Sequence, residues 1–149
     1  MSRRRSPIHF VSSPPPPGLF RRLGALFYDA VLLAGVLFVA TLAVLPLRGG
    51  EAFRPHDPLF FAYLLLVVWA FFGWFWTHGG QTLGMRAWKI RLVSADGAAL
   101  GWNQAALRYV CAWVSLGLFG LGYLWICIDP QRRAWHDRLA GTRMIWQER

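Results

Sequence analysis

Asp29 is the residue whose position most directly suggests chemistry, because it lies inside the first long apolar stretch, residues 19–47. About 20 predominantly apolar residues are enough to cross a bilayer. A carboxylate at the centre of such a helix costs roughly 2.5–3.5 kcal/mol, which a partner or a wet cavity usually offsets. Arg22 precedes Asp29 by seven residues, close to two helical turns, so both side chains share one face of the predicted helix. This spacing suggests a polar site between helices.

Two interpretations of these residues remain open at the level of sequence. In the first, Asp29 takes up and releases a proton or a sodium ion in a low-dielectric site, and Arg22 tunes it. In the second, the arginine and aspartate belong to a charge network that only fixes helix packing.

Catalytic patterns are not found in this sequence. Ser94 and Ser115 have no neighbouring histidine and aspartate, and the four histidines do not form an H-E-x-x-H motif. The glycine pair at residues 79–80 has neither the Walker spacing nor its lysine. We therefore expect a protein that is not an enzyme and that carries no cofactor and no metal.

The composition indicates a membrane protein. Hydrophobic residues make up 56% of the 149 residues, and charged residues make up 15%, against roughly 25% in soluble domains. The formal net charge is +9, and the basic residues flank apolar runs. We therefore expect a bilayer surface with anionic head groups as the partner for this charge, and not nucleic acid.

Three apolar regions, at about residues 19–47, 59–77 and 104–128, predict the main elements. The second contains no charged residue and is the clearest transmembrane prediction. Asp57 and Pro58 precede it as a predicted N-cap and first helical residue. The fold class expected is therefore an all-α membrane protein with two clear transmembrane helices.

The third apolar region is predicted to be broken or re-entrant. Arg108 interrupts its beginning, and Gly117, Gly120 and Gly122 interrupt its middle. Interrupted helices at membrane depth often build binding sites, although small residues also serve close helix packing alone. Both explanations of the glycines remain open.

Polar segments flank these regions. Residues 1–18 are predicted to be a disordered tail rich in proline and arginine, residues 19–146 a single membrane domain, and residues 147–149 a second tail. Residues 88–93 and 142–146 are each predicted as a short strand on the cytoplasmic side, or as part of a hairpin. We expect no cleavable signal peptide, so the first span remains as an anchor.

The basic residues also predict the topology. Five arginines lie before or at the start of the first region, and the second connector is basic as well, so both are predicted to be cytoplasmic. Three full crossings would then place the equally basic C-terminal segment outside. A re-entrant third region keeps that segment inside and lets a strand near Ile90 pair with one near Met144.

Three stretches of the chain resemble the RDD family of membrane proteins: residues 21–29, residues 80–86 and residues 136–142. The resemblance extends from about residue 18 to 145. It places the family's arginine on Arg22, its first aspartate on Asp29 and its second on Asp137, with Asp129 as the alternative. It implies a small multi-pass protein of the bacterial inner membrane, for which the family suggests transport of uncharacterised ligands, including cation/proton exchange.

This resemblance extends both functional hypotheses. Asp137 would join Arg22 in a charge network if the C-terminal segment docked beneath the helices, and His136 would relay protons near neutral pH. Arg86, in the second matching stretch, is a possible supporting residue. The first hypothesis is transport of an ion or small ligand through an intramembrane polar site, which would require a homo-oligomer. The alternative is a non-catalytic scaffold or assembly module that binds other membrane proteins or further copies.

Overall fold

The computed structural model describes residues 16–51, 53–54 and 56–147. The predicted disorder of the N-terminal tail therefore falls almost entirely outside the described residues, as does most of the predicted C-terminal tail.

The first apolar region forms α1, Leu19–Val44, followed by a 3-10 turn, Leu45–Arg48. Its 26 residues extend about 39 Å at 1.5 Å per residue. Gly49 ends the 3-10 turn with a φ of 67°, a left-handed conformation that glycine adopts without strain. The helix thus ends close to the predicted boundary.

The second apolar region forms α2, Pro58–Thr77. Asp57 caps it as predicted, because its Oδ1 accepts hydrogen bonds from the backbone N–H groups of Leu59 (3.0 Å) and Phe60 (3.3 Å). The other carboxylate oxygen of Asp57 accepts from Arg48 Nη1 at 2.9 Å. The loop that joins α1 to α2 is therefore closed by a surface ion pair.

The third apolar region is broken between Gly117 and Gly120, as the sequence predicted. It forms α4, Trp102–Gly117, and α5, Leu121–Leu124, which continues as the 3-10 helix Trp125–Cys127. The two halves are bent by 104°, and Phe119 and Gly120 have φ values of 56° and 73° at the break. The described chain has two helices long and apolar enough to cross a membrane, or three if this bent pair is one span.

Two short strands form the sheet that the sequence predicted. β1, Ile90–Ser94, pairs antiparallel with β2, Thr142–Trp146, and Leu92 lies opposite Met144. The strands are separated by the whole third region, so the sheet is not a local hairpin. The fold is therefore mostly helical with a small two-stranded sheet, and the two predicted strands pair with each other across the third region.

The sheet and two short helices, α3 (Leu83–Ala87) and α6 (Trp135–Leu139), form a compact unit that we call the platform. It packs against the first turns of α1, the last turns of α2 and the first half of α4. The core of the described chain lies here, at one end of the long helices. It contains Ala25, Trp76, Met85, Ile90, Leu92, Leu100 and Ala105.

Candidate functional site

Asp137 lies at the centre of a buried charge network. Its Oδ2 accepts a hydrogen bond from Arg22 Nη1 at 2.5 Å, and its Oδ1 accepts from Arg108 Nη1. Oδ2 also accepts from the backbone N–H of Ala134 at 3.1 Å, which caps α6. Asp137 is completely buried, and both arginines are nearly so. One carboxylate therefore joins the start of α1, the first half of α4 and the C-terminal segment.

The two arginines of this network also bind neutral groups. Arg22 donates from Nε to the carbonyl of Pro17 at 3.3 Å and from Nη2 to the carbonyl of Arg132 at 2.6 Å. Arg108 donates to Thr142 Oγ1 at 3.1 Å. Planar guanidinium groups suit such multiple contacts, because their donors point in several fixed directions. The network therefore fixes the backbone just before α1 and α6, and the side chain of the first residue of β2.

The charges around Asp137 set the ionisation of the platform. Burial by itself raises the pKa of Asp137, but the positive charges of Arg108 and Arg22 outweigh it and hold that pKa well below its usual range. Burial and the charge of Arg108 lower the pKa of His136 to about 3. His136 is consequently neutral near pH 7, which does not favour the predicted proton relay at that pH.

Asp29 binds a different part of the platform. Its Oδ2 accepts a hydrogen bond from Thr82 Oγ1 at 2.5 Å, and its Oδ1 accepts from the backbone N–H of Gly84 at 2.8 Å. Thr82 Oγ1 in turn accepts from Met85 N at 3.2 Å and caps α3. The hydrogen bonds of Asp29 are therefore made to the start of α3, and its predicted helical neighbour Arg22 binds Asp137 instead.

Gly84 allows α3 to approach α1 this closely. A Cβ atom at this position would collide with the carbonyl oxygen of Ala25 and with the carboxylate of Asp29. A larger residue would therefore push α3 away and lengthen the hydrogen bonds that hold Asp29.

A small cavity of about 60 Å³ separates the two carboxylate sites. This volume is large enough to hold water. Within the described chain, Arg108 Nε and His136 Nδ1 are buried and have no hydrogen-bond partner. The polar residues that line the cavity are Arg22, Asp29, Thr82, Arg108, Tyr123 and His136.

The remaining predicted site residues lie outside this network. Asp129 accepts hydrogen bonds from Arg133 N at 2.8 Å and from Arg138 Nη2; these bonds hold the pKa of Asp129 below its usual value, although burial opposes them. Arg86 is exposed on α3 and makes no side-chain hydrogen bond to the described residues. The structure thus brings Arg22 together with Asp137 and not with Asp129.

Sequence reasoning missed Arg108, Thr82 and Gly84 as members of the site. Arg108 carried a usable signal, since a single charge at the start of an apolar region needs a buried partner or a solvated position. Thr82 carried a weaker one, as a threonine followed by a short helical pattern is a common N-cap. Among the described residues, no group of three or more histidine, cysteine, aspartate or glutamate side chains forms a metal site.

Two apolar helices attached to a charge-stabilised platform define a small, membrane-type protein. Residues 16–141 match the sequence model of the RDD family, and the chain belongs to that family. An uncharacterized protein of Rickettsia prowazekii (strain Madrid E) is 29% identical over 87 residues, which are 58% of this chain and 49% of that protein. The matched part thus spans about half the length of this curated relative. No solved structure matches the chain.

Proposed function

We propose that this protein is a non-catalytic assembly module of the bacterial inner membrane, in which the RDD charges hold the platform against the membrane helices. One observation carries this proposal: the two family aspartates, Asp29 and Asp137, are buried and are hydrogen-bonded to donors of the same chain. A carboxylate in a transport site must exchange its partners during each cycle. A buried carboxylate whose two oxygens already accept hydrogen bonds resists such an exchange, because losing a partner would leave a buried charge uncompensated.

The topology in this proposal follows from the same contacts. Arg22, at the start of α1, binds Asp137, which follows the third region, and β1 pairs with β2. Since α1 and α2 together cross the membrane and return, these contacts favour a third region that enters and returns on one side. The basic flanks favour the cytoplasm for that side.

The depth of Asp29 also supports a structural role. From Asp29 to Arg48 the helical rise amounts to about 28 Å, close to the thickness of the hydrocarbon core. If Arg48 and Asp57 mark one interface, Asp29 lies near the other, and Arg22 lies about two turns beyond it. The charged layer would then sit at the membrane surface, where the cost of burying charge is smaller than at the centre.

The partner in this proposal is a further copy of the chain. Many apolar side chains of α1 and α2 are exposed in the single chain, including Phe38, Val39 and Phe61. Lipid covers such faces as well as protein does, so the measurement must be the mass of the assembly. Native mass spectrometry of the protein released from nanodiscs should show one defined oligomer, and a single-chain mass at all concentrations would contradict the proposal.

A second candidate function is proton or cation exchange at Asp29, which the adjoining 60 Å³ cavity favours. Purified protein in sealed vesicles separates the two candidates by a pH-sensitive dye and an imposed cation gradient. If the protein is an assembly module, vesicles that contain it should give the same dye response as protein-free vesicles. A cation-dependent response that Asp29→Asn abolishes, while Asp57→Asn retains it and both variants remain folded, would establish exchange and overturn the proposal.

A further inference from the structure

A groove of about 690 Å³ lies beside the charge network, between residues 130–133 and β2, and shares Arg22 with it. Its volume is within the range of roughly 300–1,000 Å³ that is typical of small-molecule sites. One wall contains Pro130 and Arg133, and the other contains Arg143, Met144 and Trp146. The groove therefore combines guanidinium groups with an apolar surface.

The charge of the groove is positive. Among the described residues its lining includes three arginines and no aspartate or glutamate. Arg22 is neutralised by Asp137, but Arg133 and Arg143 form no ion pair within the described ranges. Arg133 Nε is buried without a hydrogen-bond partner. Arg133 Nη2 donates to Gln131 Oε1, a neutral group that also lines the groove. Both guanidinium charges therefore remain uncompensated within the described residues, and both can bind an anion.

Among the described residues, the acids near the groove do not cancel this charge. Asp129 accepts from the Arg138 side chain, and only the backbone N–H of Arg133 reaches it. Asp96 lies near Arg143 without an ion pair, is exposed, and accepts a hydrogen bond from Ala98 N at 3.1 Å.

Arg22 fixes the shape of the groove. It donates to the carbonyl of Pro17, just before α1, and to the carbonyl of Arg132, the neighbour of the groove residue Arg133. At the rim, the guanidinium of Arg21 stacks over the ring of Trp146 at 3.9 Å. This contact adds another positive charge beside the apolar wall, so the groove is preorganised before any ligand arrives.

We propose that this groove binds a phosphate-bearing anion, with Arg133 and Arg143 on the phosphate oxygens and Trp146 against the apolar part of the ligand. Guanidinium groups bind phosphate in bidentate geometry, which makes arginine the common residue at such sites. The same chemistry is offered by the head group of an anionic lipid and by a soluble phosphate ester. The binding is independent of whether the protein assembles or transports.

Two titrations distinguish these sources. In the lipid arm, delipidated protein is titrated with phosphatidylglycerol or phosphatidylcholine, and bound lipid is counted by native mass spectrometry. In the soluble arm, phenyl phosphate is titrated into the protein in phosphatidylcholine nanodiscs and measured by calorimetry. We expect the wild-type protein to bind its ligand in one of the two arms. In that arm, the affinity of the double variant Arg133→Gln/Arg143→Gln should be lower by about tenfold or more.

The control is Arg86→Gln, which removes the same charge from an exposed position on the platform. It should bind as the wild type does. Arg143→Gln alone keeps the proposal testable if the double variant does not fold, because this side chain is exposed and makes no described hydrogen bond. Absence of binding in both arms, or an equal loss in Arg86→Gln, would overturn the proposal.

Discussion

At the scale of single residues, Asp137 joins more segments of the chain than Asp29 does, although Asp29 is the more conspicuous of the two in the sequence. Asp137 is fully buried between two arginines that come from separate helices. A buried carboxylate with two cationic partners stabilises little when compared with an apolar replacement, but removing its charge leaves both partners uncompensated. The free energy of unfolding is therefore more sensitive to Asp137 than to any surface charge.

The first prediction concerns the loss of this charge. Asp137→Asn should lower the free energy of unfolding by about 3–5 kcal/mol, because Arg22 and Arg108 would remain buried without a counter-charge. Denaturant titration in detergent measures this change. The matched control is Asp57→Asn, which removes a carboxylate from the partly exposed pair with Arg48 and keeps an N-cap side chain. Equal stability of the two variants would contradict the central role of Asp137.

The second prediction concerns pH. The pKa of His136 is about 3 in the folded protein, below its ordinary value of 6.5. Below pH 6.5 the unfolded chain therefore binds a proton that the folded chain does not, and stability falls as the pH decreases towards 3. The fall should reach about 1.4 kcal/mol per pH unit for this one group.

His136→Gln should remove this part of the acid sensitivity between pH 6.5 and 4, as measured by melting temperature across that range. His78→Gln serves as the control, because His78 is exposed. A His136→Gln variant that retains the full pH dependence would show that other groups cause it.

At the scale of elements, α3 is the part of the platform that depends most on one close approach. It has only five residues, too few to be stable alone. Its start is held by Thr82 and by the carboxylate of Asp29, and its contact with α1 requires a residue without a side chain at Gly84. The cap at Thr82 and the contact with α1 therefore both stabilise this short helix.

The third prediction tests this contact. Gly84→Ala should destabilise the protein by about 1–3 kcal/mol, the usual cost of overpacking, since the new Cβ meets the backbone of Ala25 and the carboxylate of Asp29. Gly35→Ala is the matched control, because no atom lies within 4 Å of its added Cβ. Helix propensity predicts no loss for that control. Thermal unfolding of both variants in one detergent compares them directly, and an unchanged Gly84→Ala would refute the close approach.

At the scale of the whole molecule, the proposed side of the C-terminal segment depends on the bent third region and on the sheet. The contacts of β2 with β1 and of Asp137 with Arg22 join segments on both sides of that region. A third region that crossed completely would have to break these contacts, including a buried ion pair.

The fourth prediction is therefore a topology. In a Cys111→Ala/Cys127→Ala background, Gln147→Cys should be protected from an impermeant maleimide in intact cells and labelled after the cells are opened. Glu51→Cys, in the connector between α1 and α2, should be labelled from outside. Labelling of the Gln147→Cys variant in intact cells would reject the re-entrant third region.

Much of the fold could be predicted from local patterns. The boundaries of α1 and α2, the cap at Asp57, the break near Gly120 and both strands follow from properties of neighbouring residues. Apolar run length, an N-cap followed by proline, and glycines in an apolar region act over a few residues. Such signals are therefore visible in a single sequence.

The partners of the charges could not be predicted in this way. Helical spacing placed Arg22 and Asp29 on one face, and the sequence by itself determined that both would need polar surroundings. Only the tertiary structure decided that Arg22 binds Asp137, that Asp29 binds the start of α3, and that Arg108 joins the network. The physical reason is that periodicity defines the direction of a side chain on its own helix, whereas an ion pair depends on which distant segment packs there.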